Sequence, residues 1–251
     1  MIVDENHQTS RIFFVILQLM NRLRLLLLAG SLFLAGTMEA AENFFTTTGY
    51  SFVRRGGGHS YSVKVDFPVD GEAHALDSVK AWICDVLEVD DSQRLDEANF
   101  ENVMRQSYET FLKEDSGMSR RIEIVRSYED EEIVTYQSEV VDRDTATWHD
   151  EDCASFSKKD GHRLRVDEIF KCPERRIKQL MWQYRGDLPV GVSGPDELVV
   201  GDAGYIDGWV VVIGPAKGYT GAAYRIRYQV AEPYLQGKRT GGYYDGEEDD
   251  E

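Results

Sequence analysis

The chain has 251 residues, 42% of them hydrophobic and 11% aromatic, and a formal charge of -17 at pH 7. That composition excludes disorder away from the ends, and an acidic chain with no Lys/Arg stripe is not a nucleic-acid binder, because it repels phosphate backbones. No Pro- or Ser-rich linker divides residues 42–240, so one domain of roughly 200 residues with a sizeable core is expected there.

From Met20 the chain reads MNRLRLLLLAGSLFLAGTMEAAENFF. A basic start at Arg22 and Arg24, an apolar run from Leu25 to Ala35 and small residues at Gly36, Ala40 and Ala41 make residues 20–41 a secretory signal. Met38 and Glu39 leave its cleavage position undetermined, and no cysteine follows to carry a lipid. Residues 1–19 then read as a mis-assigned start upstream of Met20. The alternative is one uncleaved anchor from Ile12 to Ala35, long enough at about 1.5 Å per residue to cross roughly 30 Å of hydrocarbon. Arg22 and Arg24 would lie near its middle, at about 3 kcal/mol each, which favours the cleaved signal. A periplasmic or secreted protein is expected, touching a membrane only if that segment stays.

Residues 44–67 read as extended chain broken by Gly56, Gly57 and Gly58, with Tyr61, Val63, Val65 and Phe67 on one face of a strand. The period then changes. Leu76, Val79, Ile83 and Val86 recur at three and four residues, one face of a helix from Glu72 to Leu87. A second helix, Asp96 to Lys113, carries Phe100, Val103, Met104, Tyr108 and Phe111, with Asp96 or Asn99 as its cap. Strands are expected at 120–128 and 132–141, then a polar loop or irregular hairpin at 142–160 holding Trp148, His149, Cys153 and Phe156. A short strand at 162–166 precedes Ile169 and Phe170, with Asp167 capping the turn. Pro173 suits the first turn of a helix whose apolar face is Ile177, Leu180, Met181 and Tyr184. One helical turn near 195–198 and strands at 205–213 and 222–230 complete the domain. Helices grouped between strands give an α+β class with an antiparallel sheet and grouped packing helices. Residues 241–251 form an acidic tail, read as a solubilising end, with calcium or a basic partner as the alternative.

Chemistry-bearing residues are sparse. There is no C-x-x-C pair, and among Cys84, Cys153 and Cys172 one bridge, Cys153–Cys172, is the pairing considered, with all three free as the alternative. His149 lies beside Trp148, Asp150, Glu151 and Asp152, a composition able to bind a ligand. A wet loop accounts for the same residues. His59 after three glycines lacks the rest of a phosphate loop, and Ser193 lacks the flanks of a nucleophile elbow. His74 and His162 have no assigned role. Asp167 and Glu168 diverge as sequence neighbours and do not make a catalytic pair. Tyr219, Tyr224, Tyr228, Tyr234, Tyr243 and Tyr244 could line a glycan or peptide surface or simply pack.

A Trp148–His149 segment, then KDGHRLRVDEIF (159–170) before a helix, then YRIRYQVAEPYLQGK (224–238), resembles the RsiV-like domain, also called DUF3298, of many bacteria. The resemblance covers residues 120–240, strongest in structural signatures. It departs at Thr145-Ala146-Thr147-Trp148-His149, where the family often has a Gly-Gly-Ala-His-like segment, and at Gly241-Gly242 and the acidic tail, which replace the usual final strand. Part of that family consists of membrane-bound anti-sigma factors whose outer domain is similar to a lysozyme sensor. Here the resemblance implies only the outer domain, without a sigma-binding arm.

The expected function is therefore a non-catalytic exported domain binding an extracytoplasmic protein or glycan, with His149, Trp148, Asp150 and Asp152 as the candidate ligand-binding residues. No cofactor, metal or catalytic set is expected. An envelope hydrolase using His149 and its neighbouring carboxylates, or a purely structural protein, are the alternatives.

Overall fold

The computed structural model describes residues 44–89, 95–96, 98–113, 119–144 and 146–239. The expected signal segment, the residues before it and the acidic tail lie outside the described residues. Strands β1 (Thr46–Gly56) and β2 (His59–Asp70) form a hairpin turned through Gly57 and Gly58, at φ 60° and 87°. Those left-handed values suit residues without a Cβ. Strand β3 (Ser119–Glu129) runs parallel to β2, so the chain has to cross over between them. Helices α1 (Ala73–Val86) and α2 (Phe100–Lys113) make that crossing.

Strands β4 (Ile133–Arg143) and β5 (Thr147–Ser157) continue antiparallel from β3. A single turn, α3 (Val166–Ile169), and helix α4 (Glu174–Gln183) follow, the latter starting directly after Pro173. A 3-10 turn at Pro195–Glu197 leads to β6 (Ala203–Ile206), β7 (Trp209–Ala216) and β8 (Tyr219–Arg227), then the short α5 (Tyr228–Ala231). The sheet order is β1-β2-β3-β4-β5-β8-β7-β6, with β5 and β8 parallel at His149 and Tyr219. The class is α+β. The sheet is mixed, not antiparallel, because two of its seven junctions are parallel.

Two large apolar clusters, and a small third one around Cys153, hold the sheet. Tyr61, Val63, Val65 and Phe67 of β2 pack with Ile122, Ile124, Tyr136 and Phe156 under Val79, Trp82 and Ile83 of α1 and Met104 and Phe111 of α2. Beyond β5, Ile177, Leu180 and Met181 of α4 cover Tyr205, Val210, Val212, Tyr224 and Ile226, joined by Ile169, Phe170 and Leu235. Each such side chain contributes about 1.5–3 kcal/mol of burial, so the two helical caps fix which face of each strand turns inward.

Several expectations change. Of the polar loop or irregular hairpin expected at 142–160, the structure has a hairpin, and a regular one: residues 147–157 form a full strand paired with β4, with Cys153, Ala154, Ser155 and Phe156 buried at its end and acidic residues nearer Trp148. The strand expected at 205–213 is two strands, because Asp207 and Gly208, the latter at φ 73°, turn the chain. Residues 162–166 make only an isolated bridge, Phe156 to Arg163, before α3. Glu168, not Asp167, closes that turn, its Oε2 accepting from the Arg165 N–H at 2.9 Å. Cys153 and Cys172 are free thiols, so the considered bridge is not formed. Cys153 packs with Val211, Ile213 and Ala223, whereas Cys172 sits against the α4 cluster.

Candidate functional site

The register of β4 and β5 decides what the acidic stretch can do. Trp148 lies opposite Asp142, Asp150 opposite Val140 and Asp152 opposite Ser138, all on the face that carries α1. With a side-chain period of two, His149 and Glu151 turn to the other face. Three of the four candidate ligand residues therefore share one groove. His149 borders it, but its ring stacks on Tyr219, 4.9 Å between centroids, and its Nδ1 is 3.7 Å from Glu139 Oε1.

The groove is a cavity of about 380 Å³ between the C-terminal end of α1 and strands β3, β4 and β5. Helix α1 ends there in a Schellman turn: the Val89 N–H reaches Cys84 O at 3.0 Å and the Glu88 N–H reaches Asp85 O at 3.1 Å. Glu88 takes the left-handed position, φ 55°, which glycine usually occupies at a cost of about 1 kcal/mol to other residues. That backbone brings its carboxylate to Arg120, whose NH1 donates to Glu88 Oε2 at 2.9 Å. Arg120 also grips Asp142 through two bonds, at 2.9 and 3.1 Å. Although burial opposes its charge, the hydrogen bond and charge of Asp142, with Glu88, hold its pKa above the ordinary guanidinium value.

Across the groove, Asp152 accepts from Trp82 Nε1 at 3.2 Å and from the Cys153 N–H at 2.8 Å. Arg163 bridges Asp152 and Asp202 at 3.2 and 3.0 Å. Asp150 accepts from the Gly221 N–H, and loss of water, then the charge of Asp152, pushes its carboxyl above the usual range. Gly221 is required for this approach, since a Cβ there would lie 2.5 Å from Glu151 O and 3.0 Å from Asp150 Oδ1. Trp148 stands at the mouth, 56% exposed.

Such a site accepts hydrogen bonds and attracts cations. Its arginines are tied to carboxylates, and the imidazole that borders it, His149, stacks on Tyr219 with Nδ1 toward Glu139. Among the described residues no group of three or more His, Cys, Asp or Glu side chains is arranged to hold a metal ion. The remaining candidates disperse. Ser193 N–H donates to Glu197 on a surface loop, His59 meets the edge of Phe111, and His74 lies on the first turn of α1. His162 lies between Asp160 and Glu168, at 2.6 and 3.2 Å. The tyrosines form no common platform: Tyr224 is buried with its hydroxyl on Pro215 O, Tyr228 accepts from the Arg239 N–H, and Tyr234 accepts from Arg176. Tyr243 and Tyr244 lie outside the described residues.

Trp82, Glu88, Arg120, Asp142 and Arg163 were not among the residues singled out from sequence. The direct pairing of Arg120 with Asp142 across β3 and β4 is the one signal within reach, once the hairpin register is known.

A crystal structure of a member of the DUF3298 family from Bacteroides fragilis NCTC 9343 superposes on this chain with a TM-score of 0.52 at 13% identity, covering 77% of this chain and 94% of that one. The likeness is one of fold. A DUF3298 family protein from Pseudomonas aeruginosa PAO1 gives a TM-score of 0.44 at 10% identity, over 78% of this chain and 96% of that one. No family model matches the sequence, and neither does any curated protein.

Proposed function

We propose that the chain is an exported, non-catalytic member of the DUF3298, or RsiV-like, family that binds an extracytoplasmic partner through the Trp148 groove. The observation that carries this reading is the exposed Trp148 ring at the rim of a groove whose arginines, Arg120 and Arg163, are held in place by Glu88, Asp142 and Asp152. An exposed indole beside ordered acceptors offers a partner apolar area and hydrogen-bond sites without reorganisation. The signal segment at 20–41 supports the location outside the cytoplasm. The envelope-hydrolase alternative is less well supported, because the His149 ring stacks on Tyr219 with Nδ1 toward Glu139, on the strand face opposite Asp150 and Asp152. Printed arrays of envelope glycans and of peptides, probed with the protein and with Trp148→Ala, test the proposal. Binding by the parent chain that Trp148→Ala loses is the expected result. Equal signals from both proteins would remove the groove from the account.

A further inference from the structure

The groove's charge does not balance, and the imbalance has a location. Five carboxylates line it, Asp85, Glu88, Asp142, Asp150 and Asp152, against two guanidiniums, Arg120 and Arg163. Both guanidiniums are engaged. Arg120 holds Asp142 and Glu88, and Arg163 holds Asp152 and Asp202. Among the described residues, no cation lies within ion-pair distance of Asp85 or Asp150. Asp150 accepts from the Gly221 N–H and feels the charges of Asp152 and Asp142, so a positive group arriving there relieves a repulsion that a neutral group leaves in place.

We propose that the groove receives the lysine or arginine side chain of a polypeptide partner, with Asp150 and Asp85 as its carboxylate contacts and Trp148 as its aromatic wall. This rests on the reading of the groove as a binding surface and names what it takes. Trp148 supplies the second contact a cationic side chain uses: an indole, the residue 56% exposed, that lines the same groove as Asp150. Indole is the strongest of the aromatic partners for such a charge, within about 6 Å of the ring centre. The cavity volume, about 380 Å³, lies at the small end of the range of roughly 300–1,000 Å³ for ligand sites. It suits one or two side chains presented by a larger body. A neutral sugar would stack on Trp148 equally well but would leave Asp85 and Asp150 uncompensated.

The test is calorimetric titration of the purified exported protein with hexalysine, with spermine as a free polyamine and with chitotetraose as a neutral glycan, at about 0.15 M salt. Trp148→Ala, Asp150→Asn and Asp85→Asn are compared with Glu109→Gln, which removes an exposed charge on α2 away from the groove. Melting curves establish that each variant is folded. Hexalysine is expected to bind the parent and Glu109→Gln alike, and to bind Trp148→Ala and Asp150→Asn about 10-fold more weakly, with affinity falling as salt rises. Equal affinity for all variants would mean attraction by overall charge alone and would overturn the proposal. Spermine binding as tightly as hexalysine would overturn the polypeptide assignment. Chitotetraose binding that Trp148→Ala abolishes, without hexalysine binding, would overturn the cationic ligand while leaving the binding function standing. No heat from any ligand would count against both.

Discussion

Glu129 sits under the first strand and offers the sharpest test of how the fold is held. Its side chain is 7% exposed and that of Lys158 is 3% exposed, with Lys158 Nζ 2.7 Å from Glu129 Oε1. The same carboxylate accepts from the Phe45 N–H and from Arg126 NH1, each at 2.7 Å, and Arg126 also donates to Phe45 O. It thereby ties the chain just before β1 to the end of β3 and to the residue that follows β5. Glu129→Gln leaves two cations facing a neutral amide, with Lys158 buried. Removing one partner of a buried pair is worth about 3–5 kcal/mol. At roughly 2–4 °C per kcal/mol for a domain of this size, the melting temperature should fall by roughly 6–20 °C. Lys158→Met leaves Glu129 with Arg126 and Phe45, and a smaller loss, about 1–3 kcal/mol, is expected. Urea unfolding at pH 7 followed by circular dichroism measures both. A Glu129→Gln protein within about 0.5 kcal/mol of the parent, or one less affected than Lys158→Met, would refute the reasoning.

Other consequences follow from single sites. The His162 pKa is raised, first by its hydrogen bond to Asp160, whose carboxyl is lowered to about 2, while Glu168 is lowered chiefly by the Arg165 N–H. The histidine's contribution is complete below its unfolded value, about 6.5, and is lost as pH rises through the higher folded value. The Asp160 contribution is present above about 3.9 and is lost as pH falls toward 2. The urea midpoint should therefore decline slightly between pH 6 and pH 8, and His162→Gln should flatten that decline. Gly161 has φ 74°, and a Cβ there would lie 2.3 Å from His74 O, so Gly161→Ala should lose about 2 kcal/mol or more in the same unfolding assay. Alkylation of unreduced, denatured protein followed by peptide mass spectrometry should find Cys153 and Cys172 as modified thiols, not joined to each other.

The helices were legible because their apolar residues keep a helical period: Leu76 through Val86, Phe100 through Phe111 and Ile177 through Met181 all pack into the two large apolar clusters. Strand β5 was hidden by its own chemistry. HDED reads as a wet loop, yet alternation sends Asp150 and Asp152 into the groove and leaves Glu151 to accept from the Ala223 N–H of β8 at 2.7 Å on the other face. The parallel junctions were invisible because they join strands distant in sequence, and a crossover leaves no local mark. The same holds for the site. Trp148, Asp150 and Asp152 stood out as a cluster, but the strand's period separates His149 from them. Trp82, Arg120 and Arg163 arrive from three other segments, whose meeting depends on tertiary packing.

The most direct test of groove-mediated binding is photo-crosslinking in cells that produce the protein, with a benzophenone amino acid replacing Trp148 and, separately, Glu109 on the exposed side of α2. The account predicts adducts with an extracytoplasmic component at position 148 that are absent at position 109 and are lost on adding Asp150→Asn. Equal adducts at both positions, or none at position 148 from a folded, exported chain, would contradict it.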